Sequence, residues 1–350
     1  MNYSIILAGG IGSRFWPLST NTKPKQFLKF VSNKPLLVES IERASSLTNK
    51  KNIYIATNKI YKKQTEKYIK KFGIPYENFL FEKESKNNFA PISVLSNLIF
   101  SKDKDAVIAV FPSDHFIKDK NIFLKTLKKA LIFAKKGNII TLGSVPKRPE
   151  TGYGYIKINS KFKVKNSKLY KVERFIEKPD LKKAKGFLKD RRYYWNAGIF
   201  IFKAQTLLEE IKRIYPKVYE ALSKITNKKD VDKFWPEFPS VSIDYAVMEK
   251  TDKLKLVPLN CGWSDLGSWQ AIEEIKKKDK NANTFICKNI DLGSKNTLVW
   301  SECRLVATLG LRDLIIVDTK DALLVCSKDK AQEVKKIVEI LKRRNIKQIE

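Results

Sequence analysis

Tyr3-Ser4-Ile5-Ile6-Leu7-Ala8-Gly9-Gly10-Ile11-Gly12-Ser13-Arg14-Phe15-Trp16-Pro17-Leu18 stands at the head of the chain and decides how the rest is read. A continuous apolar run of strand length, Tyr3–Leu7, passes into a loop with three glycines in four positions. A run of that kind is what a strand covered on both faces looks like. The glycines let backbone N–H groups turn toward an anion without Cβ obstruction. Two familiar loops are excluded. A dinucleotide fingerprint needs a glycine three residues after Gly12, where Phe15 stands, and a phosphate loop of the Walker kind needs Gly-Lys-Ser/Thr where Gly12-Ser13-Arg14 is found. What remains is a glycine loop with its own arginine, followed eleven residues later by Lys25 in Lys23-Pro24-Lys25-Gln26-Phe27. Two cations beside such a loop suit a triphosphate; the alternative is a tight strand exit with basic surface residues.

Outward from this loop, Asn52–Thr57, Ala106–Phe111 and Ile139–Gly143 repeat the apolar run, and between them lie helix-period segments at Leu36–Leu47, Ile60–Phe72, Pro91–Phe100 and Ile122–Ala134. This alternation predicts an α/β fold built on a three-layer, mostly parallel sheet. Gly152–Ile158 and Tyr170–Ile176 alternate apolar and polar residues as an antiparallel ribbon does, and Trp195–Phe202 and Leu254–Leu259 read as further strands. Thr206–Ile214 and Ile243–Lys250 read as helices. The lysine run Lys276–Lys280 marks a boundary, giving an expected catalytic domain over 1–275 and a small β-rich domain over 281–350. That second part ends in a helix from Lys330 to about Arg344, with Asp329 as its cap and Gln332 at its third position.

Composition bounds the chemistry. The chain has 350 residues, 43% of them hydrophobic, which suits a globular protein. Its single histidine, His115, excludes a multi-histidine metal site and leaves one place for a Ser-His-Asp triad. Cys261, Cys287, Cys303 and Cys326 lack Cys-x-x-Cys spacing and read as buried free thiols of a reducing compartment. No leader or apolar span is evident, so a soluble cytoplasmic protein without membrane attachment is expected. The net charge of +32 is nearly all scattered lysine. That favours a solvated basic exterior over a nucleic-acid surface, with some attraction for nucleoside triphosphates and sugar phosphates.

Leu7–Ser19 together with Pro24-Lys25-Gln26-Phe27-Leu28 resembles the signature of the sugar-1-phosphate nucleotidylyltransferases, and within them most closely the mannose-1-phosphate guanylyltransferases (GDP-mannose pyrophosphorylases). The resemblance continues in order through Phe111-Pro112-Ser113-Asp114-His115, Gly152-Tyr153-Gly154-Tyr155-Ile156, Phe175-Ile176-Glu177-Lys178-Pro179, Trp195–Phe200, Ser242–Lys250 and Trp263–Trp269. It implies a Rossmann-type, GT-A-like catalytic fold and a short left-handed β-helix at the C-terminus, and with that a homodimer. It implies transfer of a guanylyl group from GTP to mannose 1-phosphate with Mg²⁺, by in-line attack on the α-phosphorus and without a covalent intermediate.

Asp114 follows a strand at its carboxyl end, where open α/β sheets bind ligands, and a carboxylate there suits Mg²⁺. A lone aspartate in that place is also often a turn former or helix cap. The resemblance pairs it with Asp265 as second metal ligand. It implies that Arg14 and Lys25 stabilise the leaving pyrophosphate, and that Ala8, Gly9, Gly10, Gly12, Ser13, Asn88 and Ser113 hold the nucleotide. For the sugar phosphate it implies Glu177 on the hydroxyls and Lys178 on the phosphate, with Gly154, Asn196 and Asp244 as further contacts; Asp244 reads equally as a helix cap. His115 reads as a packing residue beside Asp114, because a sugar phosphate is already an anion and needs no base. Where the family shows an Arg-Asn-Thr-Ala-Pro-like run, this chain has Asn87-Asn88-Phe89-Ala90-Pro91, so Asn87 and Phe89 depart from the pattern that bears on the base. The rival readings are the same reaction with UTP or dTTP and glucose 1-phosphate, and a non-catalytic or RNA-binding relative. No metal-binding histidines follow His115, so isomerase activity is not expected.

Overall fold

The computed structural model describes residues 1–163 and 169–346. In chain order its strands are β1 (Asn2–Leu7), β2 (Ile53–Asn58), β3 (Phe79–Glu82), β4 (Val107–Pro112), β5 (Phe116–Ile117), β6 (Ile139–Ser144), β7 (Tyr155–Lys163), β8 (Tyr170–Ile176), β9 (Tyr193–Lys203), β10 (Leu254–Pro258) and β11 (Trp263–Ser264). Six short strands follow: β12 (Thr284–Ile286), β13 (Asn289–Leu292), β14 (Leu298–Ser301), β15 (Val306–Leu309), β16 (Leu314–Asp318) and β17 (Leu323–Ser327). The helices are α1 (Leu36–Ser45), α2 (Lys62–Ile69), α3 (Phe89–Lys102), α4 (Lys120–Ala134), α5 (Leu181–Lys189), α6 (Ala204–Ile214), α7 (Pro216–Ser223), α8 (Lys228–Phe234), α9 (Trp269–Ile275) and α10 (Val334–Arg343).

Two compact units emerge. The first comprises Met1–Gly9, Val38–Ser113 and Ile117–Trp263. It is organised on a nine-stranded sheet in the order β3-β2-β1-β4-β9-β6-β10-β8-β7. The pairs among β3, β2, β1 and β4 are parallel. A helix separates each of these strands from the next, as a parallel crossover requires. Both faces are covered. Ile5, Ile108 and Val110 join the core beneath α3 and α6. Phe111, one residue on from Val110 and so on the opposite face, meets Phe123 of α4 with ring centroids 6.4 Å apart. The expectation of a mostly parallel sheet holds for this half and for β10 beside β6, but not for the strands around them. β9 runs antiparallel to both β4 and β6, and β7 and β8 run antiparallel to each other. A continuous apolar run reports burial on two faces and carries no information about strand direction, which is why Trp195–Phe202 could be placed in the sheet but not oriented.

The second unit gathers Gly10–Leu37, Asp114–Phe116 and Ser264–Glu350, so most of the glycine loop groups with the C-terminal quarter of the chain. The short strands coil in parallel, β12 on β14, β14 on β16 and β13 on β15, with β17 closing antiparallel on β16. The hydrophobic faces of these coils (Leu298, Trp300, Ile315, Val317) form one cluster with Phe15, Trp16, Leu28, Phe30 and Trp269. Phe15 lies 4.7 Å from Phe30 and 5.3 Å from Trp269, ring to ring, so the loop is seated on an aromatic bed.

Two local expectations are corrected. The segment Ile243–Lys250 contains a π-turn at Asp244–Met248 in place of a regular α-helix, with Glu249 N–H donating to the carbonyl of Asp244 at 3.0 Å. The last helix starts at Val334, not Lys330, and Asp329 does not cap it. Lys328–Glu333 follows a 3-10 path because the buried Lys328 ammonium is drawn to Glu273 and Asn296, each at 2.7 Å.

Trp269 is fully buried and its indole N–H has no acceptor. Trp269→Phe removes that unpaired donor together with some volume and should cost less than about 1.5 kcal/mol of stability. Trp269→Ala should cost about 3–5 kcal/mol. Urea-unfolding midpoints of the two variants check the ordering.

Candidate active site

The second unit holds a cavity of about 300 Å³ lined by Gly12, Ser13, Arg14, Phe15, Lys25, Asp114, His115, Asp265, Gly267 and Lys335. Its geometry starts at Gly12, which sits at φ 78°, the left-handed region open to glycine. A Cβ there would also collide with the side chain of Lys25. The loop and the lysine therefore approach more closely than any other residue would permit. Lys25 starts a 3-10 turn after Pro24, its N–H bonded to the carbonyl of Ile11 at 3.0 Å.

The ammonium of Lys25 is the buried charge of this cavity. It donates to Asp114 Oδ2 at 2.7 Å and to the carbonyl of Asp265 at 2.8 Å, and lies 5.5 Å from the centre of the Phe15 ring. Burial pushes the Asp114 carboxyl up, but the Lys25 ammonium and His115 outweigh it, so the group is held below the ordinary carboxylate value. Asp265 turns its own Oδ1 onto the N–H of Gly267 at 2.7 Å. A Cβ on Gly267 would fall 2.6 Å from Asp265 Oδ2, and Leu266 between them is held at φ 48°, strain maintained by its complete burial. Arg14 Nη1 donates to the carbonyl of Gly267 at 3.0 Å. Asp114 and Asp265, 151 positions apart by number, thus meet around one cation.

In the first unit, Gly154, Glu177, Asn196 and Asp244 also come together. Gly154 accepts the N–H of Asn196 at 2.8 Å, and a Cβ on it would lie 2.5 Å from Glu177 Oε2. Asn196 donates from Nδ2 to Asp244 Oδ1 at 2.8 Å, while its own Oδ1 accepts from Thr141 Oγ1 and the N–H of Gly198. Burial and the nearby Glu177 charge push the Asp244 carboxyl up to about 7. Lys178 stands at φ 45° with its exposed side chain on Glu177 Oε1 at 2.9 Å.

The remaining expected residues lie on the carboxyl edge of the parallel strands. Ala8 donates to Ala56 and accepts from Thr57 Oγ1, each at 2.8 Å, and Ser113 N–H extends the β1–β4 ladder to the carbonyl of Leu7. Asn88 Oδ1 accepts the N–H of Ile243 at 2.7 Å, tying the start of α3 to the segment before Asp244. Phe89, which departs from the family pattern, is fully buried against Tyr215. That departure is a core substitution. The other, Asn87, is held at φ 60°, a conformation asparagine tolerates better than most residues.

A model of the nucleotidyl transferase family matches residues 3–282, and one described as a MannoseP isomerase/GMP-like beta-helix domain matches 288–341. The chain belongs to the nucleotidyl transferase family. A relative from Salmonella montevideo, a mannose-1-phosphate guanylyltransferase by name, is 40% identical over 97% of this chain and 74% of its own length. One of the same name from Salmonella muenchen is 36% identical over 97% and 73%. A crystal structure named as mannose-1-phosphate geranyltransferase from Thermus thermophilus superposes with a TM-score of 0.87 at 30% identity, over 97% of this chain and 99% of that one.

One residue of this nucleotidyl transferase escaped the sequence reading. Glu82 ends β3 on the carboxyl edge of the sheet, is 6% exposed, and lies 3.9 Å from where a Cβ on Gly9 would be. Burial raises its carboxyl to about 7 even though the N–H of Lys86 bonds to it. The available signal was an acidic residue closing the apolar run Phe79-Leu80-Phe81.

For a nucleotidyl transfer that relies on preorganised charge, Lys25→Ala or Asp114→Ala should each lower turnover at least about a hundredfold while the protein stays folded. Each single variant leaves the other charge without its partner, so each should also unfold at lower urea; the double variant Lys25→Met/Asp114→Asn should regain midpoint but not activity.

Proposed function

We propose that this nucleotidyl transferase moves the guanylyl group of GTP onto mannose 1-phosphate, giving GDP-mannose and pyrophosphate. The observation that carries the proposal is the cavity in which Arg14, Lys25, Asp114 and Asp265 meet at a glycine loop. A phosphate oxygen of the sugar phosphate attacks the α-phosphorus in line; a new P–O bond forms there as the bond to the β-phosphate's bridging oxygen breaks. Arg14, Lys25 and the N–H groups of Gly10, Gly12 and Ser13 neutralise and align the charged groups, which is most of what phosphoryl-type transfer asks of a protein. Glu177 and Lys178 take the hexose hydroxyls and its phosphate, with Gly154 leaving room. Asn196 already holds Asp244 by its amide, so its part is to orient that carboxyl toward the sugar.

Asp114 and Asp265 suit Mg²⁺: two carboxylates lining one cavity leave positions for water and substrate phosphates, the pattern this ion prefers. No group of three or more such ligands exists among the described residues, so a full protein cage is not on offer. When bound there, the metal ion would neutralise the phosphates between the two substrates.

Glu82 supports guanine as the base. The Watson–Crick edge of guanine offers N1–H and N2–H₂ side by side, which two carboxylate oxygens accept together; uracil and thymine place carbonyls on both sides of one N–H and would face the carboxylate with like charge. The same reading assigns 1–275 to catalysis and 281–350 to a small β-rich domain, in a cytoplasmic enzyme. Its free thiols suit that compartment, although only Cys261 is buried as expected and Cys303 is exposed; among the described residues no helix is long and apolar enough to cross a membrane. It also includes a homodimer. Ile290 and Leu292 on β13 and Leu309 on β15 share one exposed sheet face, a row of apolar side chains that a second copy would cover.

Pyrophosphate release measured with GTP, ATP, UTP and dTTP against mannose 1-phosphate and glucose 1-phosphate tests the assignment; the GTP–mannose 1-phosphate pair should lead by at least about a hundredfold. A carboxyl raised to about 7 is protonated below that pH and becomes a double acceptor above it. Inhibition by guanosine, which has no phosphate to titrate, should therefore strengthen as pH rises through about 7, and Glu82→Gln should be both weaker and flat. Sedimentation velocity should show a dimer for the native chain and a monomer for Leu309→Lys.

A further inference from the structure

Lys335 lies in a part of the chain remote by sequence from every motif of the reaction, yet it lines the cavity formed by Gly12, Arg14, Lys25, Asp114 and Asp265. Its position is fixed from below. Val334 and Val338, one helical turn apart on α10, are buried in the same cluster as Phe15 and Trp16. Lys335, about 100° further round the helix than Val334, stands on the flank of that buried stripe.

The charges of the cavity are otherwise committed. Lys25 is bound to Asp114 and to the Asp265 carbonyl, and Arg14 donates to the Gly267 carbonyl. Around the start of α10, Lys330 and Lys336 both pair with Glu333, at 3.1 and 2.8 Å. Lys335 is exposed, and its side chain has no hydrogen bond or ion pair among the described residues. A triphosphate, or the pyrophosphate that leaves it, brings more negative charge than the lining cations have to spare. A lysine serves such a group as a mobile point charge on a flexible stem.

We propose that Lys335 is a third cation of the phosphate site, contributed by the C-terminal helix, which binds the β- and γ-phosphates of the nucleotide and the pyrophosphate product. The proposal rests on reading this cavity as the triphosphate site. It gives the C-terminal domain a direct part in substrate binding, beyond seating the glycine loop.

The test uses the full chain and steady-state kinetics. Lys335→Ala should raise the KM for GTP and the inhibition constant for pyrophosphate together, by about tenfold each, the scale of one charge-assisted hydrogen bond at an exposed site. The KM for mannose 1-phosphate and the urea midpoint should stay as in the native enzyme. Lys335→Arg should restore both constants to within about twofold, and Lys336→Ala, changed at the neighbouring Glu333-paired lysine, should leave them unaltered. Native-like GTP and pyrophosphate constants in Lys335→Ala overturn the assignment, provided Arg14→Ala impairs both. If Arg14→Ala also leaves both constants native-like, the cavity is not the triphosphate site and the wider reading falls with the proposal.

Discussion

The buried ammonium of Lys25 is the interaction on which the site depends. Three separated stretches of chain, 10–37, 114–116 and 264–350, form one unit, and this cation is where they meet: it is bound to the Asp114 carboxylate and the Asp265 carbonyl, and it sits against the Phe15 ring. Removing an ammonium from water is costly, and a single partner seldom compensates. Here a carboxylate, a carbonyl and a ring face share that compensation. The consequence is geometric. Asp114 and the backbone of Asp265 cannot drift apart without stranding the charge, so the two residues stay side by side although 151 positions separate them by number.

The same constraint explains where glycine is required. Gly12 and Gly267 are not simply flexible points; in each, an added Cβ would meet a charged side chain of the cavity, Lys25 in one case and the Asp265 carboxylate in the other. Gly154 repeats the pattern with Glu177. The strained backbone at Leu266 and Lys178, both at positive φ, lies beside these close approaches. Strain of that kind persists only where surrounding packing over-determines the chain, which the burial of Leu266 supplies.

Much of this was legible in the sequence because the relevant signals are local. Apolar runs of strand length located β1, β2, β4, β6 and β9, and the glycine loop with Arg14 and Lys25 pointed to a polyanion. Quantities that depend on long-range placement were not legible. Strand direction in the second half of the sheet, the grouping of residues 10–37 with 264–350, and the late start of α10 all follow from contacts between distant segments. Phe89 illustrates the difference. Compared with the family's pattern it read as a change beside the base, whereas the fold buries it against Tyr215 and so makes it a matter of packing. Glu82 and Lys335 were missed for the converse reason: a glutamate ending a strand and a lysine in a lysine-rich helix are common, and only their surroundings distinguish them.

A site whose charges are already paired raises the question of how it accepts a highly charged substrate. Lys25 and Asp114 neutralise one another in the structure; on the proposed reading, a triphosphate gives the ammonium a second anion, and Asp114 then needs a cation in exchange. The choice of side chain allows that exchange. A guanidinium would hold a carboxylate through two parallel bonds, whereas an ammonium is a compact point charge that can redirect its donors from a carboxylate to a phosphate with small torsional changes. While Lys25 is its partner the Asp114 carboxyl is held below its ordinary value; a lysine that turned toward phosphate would leave that carboxylate to be met by a cation in its place. The ion pair thus holds this cavity together and, on the proposed reading, keeps side by side two opposite charges that the transfer would separate.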